Sequence, residues 1–79
     1  MNITVVINGH PLAMEFVASA PAKHVIERAL HETANVVPIP AEWELRDERG
    51  FLFDAQKPLA DRASDGDTLY LNPMAGVGG

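Results

Sequence analysis

Residues 2–17 read NITVVINGHPLAMEFV, a stretch that specifies a β-hairpin with a fixed register. The segment 2–7 consists largely of β-branched apolar residues, which is typical of a strand. The following pair, Asn8-Gly9, is the strongest short hairpin signal, because both residues tolerate the positive φ angles of a tight turn. A two-residue turn here makes the numbers of facing residues sum to 17, so Ile3 is predicted to face Met14.

This register agrees with the hydrophobic pattern, because side chains alternate between the two faces of a strand. It also pairs Val5 with Leu12 and Met1 with Phe16 on the same, apolar face. The opposite face receives Thr4, Ala13 and Glu15. The hairpin therefore has one side suited to a core and one side suited to solvent.

A helix is predicted after the hairpin. Ser19 is a candidate N-cap, and Pro21 fits the first turn, where its missing N–H costs little. Asn35 is a plausible C-terminal stop. A single apolar stripe at spacings of three and four residues follows Pro21, made of Val25, Ile26, Ala29, Leu30 and Thr33. Such a helix needs one sheet face to cover.

Three further strands are predicted in the second half of the chain. The prolines in 36–40 favour an extended connection. The predicted strands are Trp43–Asp47, Phe51–Asp54 and Thr68–Leu71, with an irregular crossing segment over 55–67 and a turn at Asp65-Gly66-Asp67. Asn72-Pro73 is expected to end the last strand, because proline donates no ladder hydrogen bond.

The composition excludes several classes of protein. The chain has 79 residues, which is the size of one domain, and it has no cysteine for disulfides or thiol chemistry. Its net charge of −5 argues against a nucleic-acid ligand, which requires a basic face. No apolar run approaches the ~20 residues of a membrane span, and the first residues lack the basic segment of a signal peptide. We therefore expect a cytoplasmic protein that binds neither nucleic acid nor membranes.

The sequence ends on an uncharged, glycine-rich segment, Met74-Ala75-Gly76-Val77-Gly78-Gly79. Glycine has no Cβ, so its backbone can approach another surface closely, as in a narrow enzyme channel. We accordingly expect a folded domain over residues 1–73 and a flexible tail over 74–79, whose Gly78-Gly79 pair is a candidate conjugation terminus. A frayed chain end is the plainer alternative.

The order of elements with this ending resembles the ubiquitin-like β-grasp fold over the whole chain. The expected class is α+β, a mixed sheet of about five strands in the order ββαβββ packed on one helix, with the last strand parallel to the first. WELRD at 43–47, DGDTLYLNP at 65–73 and the Gly-Gly ending look like a family of bacterial ubiquitin-like modifiers. Two departures are the uncharged tail and the weak apolar patch on the exposed sheet face.

The resemblance implies a protein modifier that is itself no enzyme and carries no cofactor. An activating enzyme would use ATP to adenylate the Gly79 carboxylate, and a conjugating enzyme would pass it as a thioester to amines of protein targets. A JAB-type metallopeptidase would remove it. Two alternatives stay open: a sulfur carrier of the thiamine or molybdopterin type, with a thiocarboxylate at Gly79, and a plain interaction module.

Strand alternation also predicts a docking surface for partners. If Leu69 and Leu71 lie in the core, Tyr70 must lie on the exposed sheet face beside Arg46, where an aromatic ring with a polar tip is a common anchor. The only lysines, Lys23 and Lys57, are the possible acceptors for chains, together with the Met1 amine. We expect no metal site, because His24 and His31 are two helical turns apart, and His10 lies in the hairpin.

Overall fold

The structure is a computed structural model that describes residues 1–33 and 42–74. Its elements in chain order are strands β1 (Asn2–Ile7) and β2 (His10–Glu15), helix α1 (Ala22–Thr33) and strands β3 (Trp43–Arg46) and β4 (Thr68–Pro73), with a 3₁₀ turn at Leu59–Asp61. The four strands form one sheet in the order β2-β1-β4-β3.

The hairpin forms with the predicted register. Ile3 pairs with Met14 and Val5 pairs with Leu12, so facing numbers sum to 17 throughout β1 and β2. Asn8 has a φ of 52° and Gly9 a φ of 79°, the two positive angles that the tight turn requires. The return strand β2 ends at Glu15 and is shorter than the predicted 10–17, although Phe16 still exchanges two backbone hydrogen bonds with Met1.

β4 lies in the middle of the sheet, and its predicted parallel orientation to the first strand is confirmed. It runs parallel to β1, with Val5 opposite Leu69, and antiparallel to β3, with Leu45 opposite Leu71. The Asp65-Gly66-Asp67 turn ties the start of β4 to β1: the Gly66 N–H donates to the Asn2 carbonyl at 2.7 Å, and the Asn2 N–H donates to Asp65 Oδ1 at 2.5 Å. The strand continues through Pro73 instead of ending at Leu71.

The core lies between one face of the sheet and α1. The predicted stripe packs inward, since Val25, Ile26, Ala29 and Leu30 are buried, and the Thr33 hydroxyl donates to the Ala29 carbonyl at 2.7 Å. Among the described residues no polar or charged residue is buried. The buried set is entirely apolar: Ile3, Val5, Ile7, Met14, Phe16, Ala22, Val25, Ile26, Ala29, Leu30, Leu45, Phe53, Leu59, Ala63, Leu69 and Leu71.

Two expectations need correction. The segment Phe51–Asp54 is not a strand: it makes one isolated bridge, Arg46 to Leu52, so the described sheet has four strands and not five. α1 begins at Ala22, so Ser19 lies too far upstream to be the N-cap. The predicted helix stop at Asn35 and the predicted extended connection over 36–40 both lie outside the described residues.

Candidate functional site

The outer face of the sheet, opposite the helix, is the candidate docking surface. Strand alternation places it there, because Leu45, Leu69 and Leu71 are completely buried on the inner face. The outward positions near its centre are Val6 on β1, Glu44 and Arg46 on β3, and Thr68, Tyr70 and Asn72 on β4. Most of these side chains are polar, so an apolar group among them stands out.

The other apolar residue of this set, Val6, is half-buried, so the exposed apolar group is Tyr70. It is 38% exposed and lies on the central strand β4. The sheet register puts Val6 beside it on one side and Arg46 beside it on the other. The structure thus brings Tyr70 and Arg46 together, as strand alternation predicts.

Arg46 is held in place by its own neighbours. Its Nε and Nη2 donate to the two carboxylate oxygens of Glu44 at 3.2 and 3.3 Å, and its Nη1 donates to the Gly50 carbonyl at 2.7 Å. This bidentate geometry fixes the guanidinium plane and neutralises its charge locally. Next to Tyr70, Arg46 is therefore an ion-paired side chain held in one position, and not a free cation. Sequence reasoning did not anticipate this ion pair, although Glu44 and Arg46 at i and i+2 share one strand face.

Residues that come after β3 in the sequence form a second exposed apolar surface. Phe51 is 46% exposed and Leu52 is 47% exposed, while the Arg62 guanidinium carbon lies 3.5 Å from the centre of the Phe51 ring. This position favours a cation–π interaction. A groove of about 400 Å³ lies beside them, lined by Phe51, Leu52, Phe53, Asp54, Lys57, Pro58, Asp61 and Arg62. Sequence reasoning missed this surface, because it interpreted 51–54 as a strand.

The loop before this groove is ordered by Asp47. Its Oδ1 accepts hydrogen bonds from the N–H groups of Arg49 at 2.8 Å and Phe51 at 2.9 Å. These bonds favour the carboxylate, so the pKa of Asp47 is lowered, chiefly by the Phe51 N–H, with smaller contributions from Arg49 and Arg62. The loop thus holds Phe51 at the rim of the groove.

The candidate acceptor amines differ in their surroundings. Lys57 is exposed and lines the groove, whereas Lys23 is half-buried at the start of α1. The Met1 amine donates to the Phe16 carbonyl at 2.9 Å in a partly buried position. Both lysines lie at the same end of the domain, because the Ala22 N–H donates to the Lys57 carbonyl.

The predicted conjugation terminus, Gly78-Gly79, lies outside the described residues, as do Ala75, Gly76 and Val77. Met74 is described: its N–H donates to the Glu42 carbonyl at 2.9 Å, which continues the pairing of β4 with β3. The chain therefore leaves the described domain at the β3–β4 end of the sheet.

The described part of the chain has neither a cluster of metal-ligating side chains nor a helix that could span a membrane. Residues 1–33 and 42–74 contain no group of three or more His, Cys, Asp or Glu side chains arranged to hold a metal ion. Asp65 and Asp67 instead accept backbone N–H groups, from Asn2 and Ser64 respectively. α1 is neither long enough nor apolar enough to cross a bilayer, and it is the only α-helix in these residues.

The sequence model of a family described as "Protein of Unknown function (DUF2604)" matches residues 1–79. The chain belongs to the DUF2604 family. The uncharacterized protein y4jI of Sinorhizobium fredii (strain NBRC 101917 / NGR234) is 39% identical over 80 residues. The match covers 100% of this chain and 62% of that protein, so the DUF2604 chain spans less than two thirds of its relative.

Solved structures show the fold of this DUF2604 protein. The ubiquitin of Caldiarchaeum subterraneum superposes with a TM-score of 0.78 at 25% identity, covering 100% of this chain and 98% of the ubiquitin. A chain in the crystal structure of ATBAG1 in complex with HSP70 superposes with a TM-score of 0.79, covering 95% of this chain and 41% of that chain. Its 9% identity shows a shared fold alone. The fold is α+β and ubiquitin-like, with a four-stranded mixed sheet and one α-helix in the residues that the structure describes.

Proposed function

We propose that this DUF2604 protein is a ubiquitin-like modifier, joined to target proteins through the carboxylate of Gly79. The observation that carries the proposal is the likeness to the archaeal ubiquitin. At 25% identity it covers all of this chain and 98% of the other, so the two match almost from end to end. The Gly78-Gly79 ending supplies the group that would react.

The reaction would use four enzyme-catalysed transfers of the Gly79 acyl group. The Gly79 carboxylate attacks the α-phosphorus of ATP, releasing pyrophosphate and forming an acyl adenylate. A cysteine thiolate of the activating enzyme then displaces AMP and forms a thioester, which passes to a cysteine of the conjugating enzyme. A target amine attacks this thioester, releases the thiol and forms the amide bond. The chain itself has no cysteine, so each thiol belongs to a partner.

The outer sheet face gives the activating and conjugating enzymes a surface to hold. Tyr70 is a large, partly exposed aromatic on a rigid central strand, and such residues often dominate binding energy. Five residues follow Met74 in the sequence, and when extended they reach at most ~18 Å. An enzyme could therefore bind the domain and receive Gly79 in a separate pocket. A JAB-type metallopeptidase would hydrolyse the amide bond and return the modifier.

The proposal requires a free carboxylate on Gly79, whether the chain ends there or is cleaved there. The test is mass spectrometry of the protein purified from its native cells, before and after tryptic digestion. We expect a mature species ending at Gly79 and target peptides bearing a Gly79-derived adduct on an amine. A strain in which Gly79 is deleted is the matched control and should lack these adducts.

The other outcomes assign the protein elsewhere. A mass gain equal to one sulfur in place of one oxygen at Gly79 would make it a sulfur carrier, and amine adducts would be absent. A protein that continues beyond Gly79 in the cell, with neither modification, would overturn both readings and leave an interaction module. Each outcome gives a different mass for the same terminal peptide.

A further inference from the structure

In the part of the chain that the structure describes, the outer edge of β2 is an open sheet edge. Across the sheet, the outer edge of β3 is partly occupied, because the Phe53 N–H donates to the Leu45 carbonyl and the Asp47 N–H donates to the Phe51 carbonyl. Within residues 1–33 and 42–74, no strand pairs with the outer edge of β2. An exposed edge is a template for pairing with another strand.

The hairpin register shows which backbone groups point outward from this edge. Met1 and Phe16 exchange both of their hydrogen bonds, at 2.9 Å each. Because bonded and non-bonded pairs alternate in an antiparallel ladder, Met14, Leu12 and His10 also turn their N–H and C=O groups toward β1. The groups of Pro11, Ala13 and Glu15 therefore point away from the sheet, and all three residues are exposed.

Two of these outward groups are unavailable. Pro11 has no N–H to donate. The carbonyl of Glu15 already accepts a hydrogen bond from Nη1 of Arg28 on α1, at 2.9 Å. Four groups remain: the Pro11 carbonyl, the Ala13 N–H and carbonyl, and the Glu15 N–H.

We propose that this edge binds a second copy of the same chain, with the two β2 strands antiparallel and a two-fold axis at Ala13. In that register the two Ala13 residues exchange both of their hydrogen bonds. Pro11 lies opposite Glu15 of the second copy, so its carbonyl accepts that residue's N–H. Pro11 has no N–H to donate to the Glu15 carbonyl opposite it. That carbonyl already accepts a hydrogen bond from Arg28 of its own chain.

This match favours self-pairing over pairing with an unrelated antiparallel strand. An unrelated strand would place a residue other than Glu15 opposite Pro11. Because Pro11 has no N–H, the carbonyl of that opposite residue would receive no hydrogen bond. The register is also specific: sliding it by two residues in one direction sets Pro11 against Ala13 and leaves an Ala13 carbonyl unpaired. Sliding it the other way directs the Ala13 N–H at the Glu15 carbonyl that Arg28 occupies.

The side chains fit the same arrangement. On the outer face, Ala13 meets its own copy, and two methyl groups do not clash. On the inner face, half-buried Leu12 lies opposite Met14 of the second copy, which extends the apolar core across the axis. Arg28 is half-exposed and reaches the edge from the helix side, so it can adjust as the second chain approaches.

The pairing would form a weak dimer and no larger assembly. A two-fold axis uses one edge from each chain, so the assembly stops at a dimer. A single strand pair buries less than the ~1,200–2,000 Å² of stable interfaces, so association should depend strongly on concentration. This inference does not depend on the proposed conjugation.

Sedimentation equilibrium and amide hydrogen exchange test the pairing on the full chain. From low to high protein concentration, we expect the mass to rise from monomer toward dimer. Over the same range, the amides of Ala13 and Glu15 should exchange more slowly, while the exchange of exposed turn amides such as that of Gly9 stays constant.

A charge exchange at the axis tests the register. Ala13→Lys and Ala13→Glu should each remain monomeric alone, because like charges would lie directly opposite each other. An equimolar mixture of the two should associate at least as well as the unmodified chain. Matched controls are Thr4→Lys and Thr4→Glu, which place the charges on the same face beside Ala13 but one strand in from the axis. These should dimerise alone.

Three results would overturn the proposal. One is a chain that stays monomeric at every concentration. The second is a dimer that is indifferent to the charge at position 13, which would mean that another face associates. The third is a monomer whose Ala13 and Glu15 amides gain protection only from an added foreign strand-forming peptide, which would make a peptide the occupant of the edge.

Discussion

At the scale of single residues, Tyr70 is expected to contribute to binding and little to stability. It is 38% exposed, and its neighbours Leu69 and Leu71 carry the burial of β4. Tyr70→Ala should raise the concentration of this protein needed for half-maximal adenylation by the activating enzyme, while the melting temperature changes little. Phe51→Ala is the matched control, because it removes an exposed ring from a different surface. Equal half-saturation for Tyr70→Ala and the unmodified protein would place the docking surface elsewhere.

Asp47 should make the order of the loop depend on pH. Its pKa is lowered in the folded protein, so its stabilising contribution is present above the unfolded pKa of ~3.9 and is lost as the pH falls through the folded value. Asp47→Asn should therefore lower the melting temperature slightly at neutral pH. The difference should vanish at low pH, where Asp47 is itself protonated. Glu48→Gln, at an exposed neighbouring position, is the matched control and should leave the melting temperature nearly unchanged at neutral pH.

Lys57 should be the main acceptor if the modifier is joined to copies of itself. It is exposed beside the groove that Phe51 borders, whereas Lys23 is half-buried and the Met1 amine is hydrogen-bonded to Phe16. In a reconstituted conjugation reaction, Lys57→Arg should remove most chains seen on a denaturing gel, and Lys23→Arg should leave them nearly unchanged. The reverse pattern would mean that exposure does not select the acceptor.

At the scale of elements, the helix stripe should carry much of the stability. Leu30 is 3% exposed between α1 and the sheet, so Leu30→Ala should destabilise the domain by about 2–5 kcal/mol. Stability of small domains totals ~5–15 kcal/mol, so the urea midpoint should fall markedly. Glu27→Ala, on the exposed side of the same helix, should change it little. Similar midpoints for both variants would contradict the packing of α1.

The elements that could be predicted are those whose local signals fix their geometry. The Asn8-Gly9 turn sets the hairpin register by itself, and the spacing of Val25 to Leu30 sets the buried face of α1. Phe51–Asp54 misled the prediction because apolar residues report a tendency toward burial and not strand pairing. Only Phe53 of this segment is buried, and the loop that Asp47 ties together leaves Phe51 and Leu52 exposed.

The candidate site was predictable to a smaller degree. Alternation along β4 places Tyr70 on the outer face once Leu69 and Leu71 are assigned to the core. Its pairing with Arg46 depends on the register of two strands that are far apart in sequence. No local sequence pattern predicts the hydrogen bonds of Arg46 to Glu44 and Gly50. The same is true of the stacking of Arg62 on Phe51, because both depend on side-chain positions in the folded domain.

At the scale of the whole molecule, folding and the proposed chemistry use separate parts of the chain. Every described core residue lies within the range from Ile3 to Leu71. The central strand β4 ends at Pro73, before the sequence reaches Gly78-Gly79. A change at the ending should therefore leave the packed domain intact, whereas a change at a glycine inside the domain should disturb folding.

The Gly78-Gly79 ending should be essential for transfer and dispensable for folding. Deleting Gly79, or replacing Gly78 and Gly79 with alanine, should abolish transfer to targets, because the reacting carboxylate is displaced or its approach to the enzyme is blocked by a Cβ. The melting transition should remain. Gly66→Ala is the contrasting control: Gly66 has a φ of 90°, which alanine adopts poorly, so this variant should melt earlier yet still react when folded. A Gly79 deletion that still conjugates, or that no longer melts cooperatively, would contradict this separation of the fold from the reactive end.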